Sequence, residues 1–133
     1  MSEAAEALRI RYLREAVETA TPAERLLMIV DRLCVDLDRA AAALAERDWF
    51  EANQRLVHAQ EILLVLHDTL DPAQWAAGEQ LKALYRFWHD ELVAVNLQKD
   101  AERLAPVSAM VQQLAEAWRA AAAQLAQDAP VGP

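Results

Sequence analysis

Along most of the chain, apolar residues recur at alternating spacings of three and four, the period of one helix face, and the breaks are short. Thr21-Pro22-Ala23-Glu24 reads as a capping box with proline at the first helical position. The threonine oxygen can accept from the Glu24 amide while the glutamate reaches back to the threonine amide. Behind it Leu26, Val30, Leu33, Leu37, Ala40 and Leu44 form one stripe. Glu46-Arg47-Asp48 interrupts, Asp48 with Glu51 repeats the capping logic, and Ala52, Leu56, Ala59, Leu63, Leu66 and Leu70 form a second stripe. Asp71-Pro72 stops that helix, and Gly78 ends a short connection containing Trp75. Leu81, Tyr85, Trp88, Leu92 and Val95 make a third stripe. After Lys99-Asp100 comes a fourth, from Leu104, Val107 and Val111 through Leu114, Trp118, Ala121 and Leu125, with a kink or late start expected at Pro106.

Four long amphipathic helices joined by short breaks must double back. The pattern therefore predicts an all-α fold, an up-down antiparallel four-helix bundle. The segment before Thr21 adds a short N-terminal helix with Leu8, Tyr12 and Ala16, or Ile10, Leu13 and Val17, facing inward. Residues 1–127 read as one domain, 1–20 as its N-terminal segment, and 128–133 as a frayed tail.

Composition narrows the function. Only 2 of 133 residues are glycine, against the needs of an all-β fold. A formal charge of -8 makes nucleic acid a poor partner, because affinity for phosphate backbones comes largely from basic side chains. The longest apolar run, Ile62 to Leu66, falls far short of the roughly 20 residues that insert across a membrane. The first fifteen residues interleave charged and apolar positions, with no targeting signal, so the expected location is the cytosol. Cys34 is the one cysteine and reads as a buried small hydrophobe.

The chain carries more apolar surface than a bundle needs, since a bundle helix requires a stripe about three positions wide per heptad. The second bundle helix is apolar in every direction at Ile62-Leu63-Leu64-Val65-Leu66, with Val57 a turn earlier. The third adds Leu84, Phe87, Val93 and Leu97, and the first adds Leu27, Met28 and Ile29. Such a surplus is covered by the N-terminal helix, by a second copy in a homodimer, or by a segment of another protein lying in a groove.

Catalytic and metal chemistry find little support. Three residues before His58, His67 and His89 stand Arg55, Leu64 and Arg86, so the Glu-x-x-His pairs of di-iron bundles are absent and neither metal nor cofactor is expected. His58 is the best candidate for a phosphoacceptor, the role that would make the chain a phosphotransfer bundle, but no lysine adjoins it. Arg9, Arg11 and Arg14 are surrounded by glutamates and read as a solvated face, while Trp75, Trp88 and Trp118 read as core anchors.

From about Tyr12 to Trp118 the residues resemble the flagellar secretion chaperones of the FliS type. The fragments are Tyr12, Val17 and Thr19-Ala20-Thr21-Pro22, then Leu26-Leu27-Met28 and Asp31, then Asp48, Asn53, Ala59-Gln60-Glu61-Ile62 and Leu70-Asp71. Leu81-x-x-Leu84-Tyr85, Leu92, Asn96, Asp100 and Trp118 follow. Two places depart from the pattern: Ile29-Val30-Asp31-Arg32 stands where members typically read Leu-Tyr-Asp-Gly, and Gly78 is what remains of a frequent glycine pair. The resemblance implies a non-enzymatic chaperone for the disordered C-terminal segment of flagellin, with that segment wrapped along apolar grooves. It further implies Tyr12, Leu13 and Val17 as a gate and Val57, Leu64, Val65, Leu84 and Phe87 as groove walls. An export-gate component is a further partner open to the same resemblance.

Overall fold

The structure, a computed structural model, describes residues 2–19 and 21–128, without the side chains of residues 13 and 16–19. Helix α1 spans Glu3–Thr19, α2 Pro22–Ala45, α3 Trp49–Thr69, α4 Gly78–Gln98 and α5 Ala101–Asp128, with a 3-10 turn at Pro72–Gln74. The tail expected to fray beyond Asp128 lies outside the described residues.

The helices start where the caps place them. Thr21 Oγ1 accepts from the Glu24 amide at 3.1 Å and Glu24 Oε2 accepts from the Thr21 amide at 3.2 Å, the reciprocal pair of a capping box. Asp48 takes the Glu51 amide and Asp100 the Arg103 amide, each at 3.1 Å. Tight turns follow from left-handed backbone at Arg47, Ala77 and Lys99, with φ of 58°, 59° and 54°.

Helices α2 to α5 close a ring: α2 packs on α3, α3 on α4, α4 on α5, and α5 returns to α2. The four predicted stripes meet inside it. Val30, Leu33 and Leu37 face Leu56, Leu63, Tyr85, Trp88, Leu92, Leu104 and Val111, all buried. Tyr85 and Trp88 pack edge to face with centroids 6.2 Å apart. A polar link spans every seam. Asp36 joins α2 to Arg55 and His58 of α3, and Asn96 of α4 donates to Asn53 of α3 at 2.8 Å. Arg103 of α5 bonds Glu91 of α4, and Arg119 of α5 reaches Asp31 of α2 at 2.8 Å.

Three expectations need correction. Helix α5 begins at Ala101 and runs through Pro106, so of the kink or late start expected there the late start does not occur. Pro106 lies near the helix start on an exposed face, so the lost amide bond falls where water can satisfy the carbonyl. Trp88 is a core anchor and Trp118 half of one, but Trp75 is 52% exposed, because the connection carries it across the end of the bundle. On helix α1, Leu8, Ile10 and Tyr12 are exposed rather than facing inward, while the side chains of Leu13, Ala16 and Val17 lie outside the described residues. Charges interleave with its described apolar residues, including the pairs Arg9–Glu6 at 2.9 Å and Arg11–Glu15 at 3.5 Å, which narrows the stripe they offer.

The turn before α4 is the tightest point of the fold. A Cβ on Gly78 would lie 2.3 Å from the Pro72 carbonyl oxygen and 2.7 Å from its Cα, so only glycine lets the 3-10 turn approach the helix. The preceding Ala77, in contrast, holds a left-handed conformation that glycine adopts without strain. Gly78→Ala is expected to lower unfolding free energy in urea by about 1–3 kcal/mol, and Ala77→Gly to raise it by up to about 1 kcal/mol.

Candidate functional site

The surface left by the ring is where binding can occur. Val57, Val65, Leu84 and Phe87 are exposed, Leu64 is half-buried, and Val65 and Phe87 keep 51% and 49% of their surface in water. They do not share one groove. Asn53, which meets Asn96, marks the side of α3 that faces α4; Val57 and Leu64 lie four and eleven residues on, beside that same seam. Val65 lies three residues after Ile62 and seven after His58, which line the seam with α2, and so borders the opposite flank of α3. Leu84 and Phe87 lie seven and four residues before Glu91, whose bond to Arg103 marks the side of α4 facing α5. The five expected wall residues thus border three seams around the bundle. Of the gate residues Tyr12 is described and is 71% exposed, while the side chains of Leu13 and Val17 lie outside the described residues.

At the end of the bundle is a feature the stripes do not reveal. A cavity of about 340 Å³ opens between the start of α2 and the last turns of α5, walled by Pro22, Leu26, Leu27, Trp75, Trp118 and Leu125. Behind it a void of about 120 Å³ runs past Trp75 and Trp118 to Leu66 and Tyr85. Among the described residues no charged side chain lines either space. The signal for it was the pairing of two tryptophans with an alanine-rich helix end, since small Ala121 and Ala122 leave the room that the indoles border.

Among the described residues no three His, Cys, Asp or Glu side chains gather as a metal set. Among the described residues no helix is long and apolar enough to cross a membrane. His58, the phosphoacceptor candidate, has its Nδ1 bonded to Asp36. Asp36 has no exposed surface and also receives Arg55 Nη1 at 3.4 Å and Arg32 Nε at 3.3 Å. A buried carboxylate with three basic neighbours is a structural clasp, because removing it would strand charge in the seam. Cys34 is half-buried rather than buried, beside Asp31 and Arg119. Desolvation first, then the Asp31 carboxylate, hold its thiol above its ordinary range.

The sequence pattern of the family described as flagellar protein FliS matches residues 4–125. The chain is 33% identical over 111 residues to the flagellar secretion chaperone FliS of Bacillus subtilis strain 168, covering 83% of this chain and 82% of that one.

Two outcomes follow from the clasp and the thiol. Asp36→Ala should cost about 2–4 kcal/mol in urea unfolding, below the loss for a fully dry pair because water reaches part of Arg55 and His58. Alkylation of Cys34 by iodoacetamide should be slow at neutral pH, where the raised thiol keeps its proton, and should still accelerate as pH rises past 9.0.

Proposed function

The chain belongs to the FliS family of flagellar proteins, and we propose that it is a secretion chaperone that holds the disordered C-terminal segment of flagellin in the cytosol, keeps it from polymerising early and hands it to the flagellar export apparatus. The observation that carries this reading is apolar side chains left exposed along three seams of one folded bundle, among the described residues. A segment destined to form helices against other subunits needs a substitute apolar surface until it leaves. A disordered client must offset its ordering entropy with a wide interface, which suits side chains distributed around the bundle better than a single deep pocket. No catalytic step is required: binding, and release at the export machinery, is the whole task. On this reading the N-terminal segment around Tyr12 acts as a gate, and the exposure of Tyr12 leaves it accessible to a client.

Calorimetric titration with a peptide of the C-terminal segment of the same organism's flagellin should give saturable 1:1 binding with a negative heat-capacity change. Truncating Phe87 or Val65 to alanine should cost about 1–2 kcal/mol each, on the order of tenfold in affinity, with the helical signal unchanged. Tyr12→Ala should also weaken binding. No heat with the parent protein, together with size exclusion showing concentration-dependent self-association, would replace the client by a second copy of the chain.

A further inference from the structure

None of the five wall side chains borders the cavity at the end of the bundle. Its outer space, about 340 Å³, is flanked by α2 and by Ala121, Ala122 and Leu125 of α5, and an inner space of about 120 Å³ adjoins it. Leu26, Trp75 and Trp118 wall both, so the indoles stand between an open mouth and a recess bordered by the buried Leu66 and Tyr85. An apolar cavity of roughly 150 Å³ takes a benzene, and small-molecule sites begin at about 300 Å³. The space here suits one ring with a short substituent.

The recess is not wholly apolar. Tyr85 keeps 2% of its surface, and its hydroxyl makes no hydrogen bond among the described residues. A helical side chain leans toward the N-terminus of its own helix, and α4 starts at this end of the bundle, against Pro72. The phenol oxygen is thereby directed to the side of Tyr85 that borders the recess. Burial holds the phenol above its ordinary range, so it keeps its proton and stands as a donor without an acceptor. It has given up hydrogen bonds to water and gained none back, a cost that an oxygen placed in the recess would remove.

We infer that the end cavity is a binding site for a small uncharged ring compound with one acceptor oxygen, its ring against the two indoles and its oxygen accepting from the Tyr85 hydroxyl. An anion of the same shape is disfavoured, because the described lining offers no charge to pair with it and the chain carries -8. A leucine or phenylalanine of a polypeptide could fill the mouth, but neither brings an acceptor to the recess, which singles out a free molecule. The inference goes beyond the flagellin-holding role and uses none of the residues on which that role rests.

The probes are acetophenone, which has the acceptor, isopropylbenzene, which has nearly the same shape without it, and benzoate, the anionic counterpart. Each is titrated into the full-length protein and followed by ligand-observed NMR. Acetophenone and isopropylbenzene are each expected to saturate one site, with benzoate at least about tenfold weaker than acetophenone. Tyr85→Phe should weaken acetophenone about threefold to tenfold and leave isopropylbenzene unchanged, the mark of one lost hydrogen bond. Its midpoint in urea should match or exceed the parent's, since the hydroxyl removed had no partner. Ala122→Phe, which fills the mouth, should weaken both neutral probes at least about tenfold with the helical signal intact. No saturable binding by the parent, benzoate equal to acetophenone, or parent-like acetophenone binding by Tyr85→Phe overturns the inference. So does parent-like binding by Ala122→Phe, which would place the probes on the exposed seams instead.

Discussion

A ring of four helices can hide only one stripe from each. Everything outside the ring follows from that limit, because α3 has apolar residues on nearly every side and α4 on more than one. Leu56, Leu63 and Leu66 disappear into the interior, and Val57, Leu64 and Val65 are left along its flanks. The surplus is too spread out to be one misplaced core residue. It borders three of the four seams, a spread better suited to a chain that wraps than to a ligand that plugs.

Polar links at the seams settle how the stripes meet. Leucine stripes alone tolerate sliding by a turn, whereas Asn53 with Asn96, or Asp31 with Arg119, is satisfied in one register. Asp36 is the extreme case. Its desolvation is offset only if Arg55 and His58 arrive from α3 at the right height, so the pairing of the first two ring helices is specified by charge as well as by packing. The same clasp leaves the outer atoms of basic side chains facing water along the seam.

Much of this was legible beforehand. The capping box at Thr21, the four stripes and their breaks were plain in the periodicity, since each is a local signal. Asp36 was not, because a carboxylate between Leu33 and Leu37 looks like any polar position until a partner helix covers it; Arg55 and His58, three residues apart, were the available hint. Periodicity also places a residue on a face of its own helix without saying which neighbour that face meets. Val57, Val65 and Phe87 could thus be recognised as surplus, but not as bordering three different seams. The end cavity depends on where the connection after Pro72 carries Trp75, a tertiary outcome with no periodic trace. Helix α1 was legible as a helix, but the exposure of Leu8, Ile10 and Tyr12 was not, because periodicity does not say whether a face finds a neighbour.

Three seams of the ring join helices adjacent along the chain, and one, between α2 and α5, joins its first and last members. The order of assembly is consequently built into the connectivity. Hairpins α2–α3 and α3–α4 can form from short loops as soon as each helix exists, at little loop-closure cost. The α2–α5 seam forms last, and by then the intervening helices have already brought α2 within reach. A chain of this connectivity is thereby spared a long search for its own native pairing. Its first exposed edges are also the briefest lived, since each helix is covered within one hairpin's length of its synthesis.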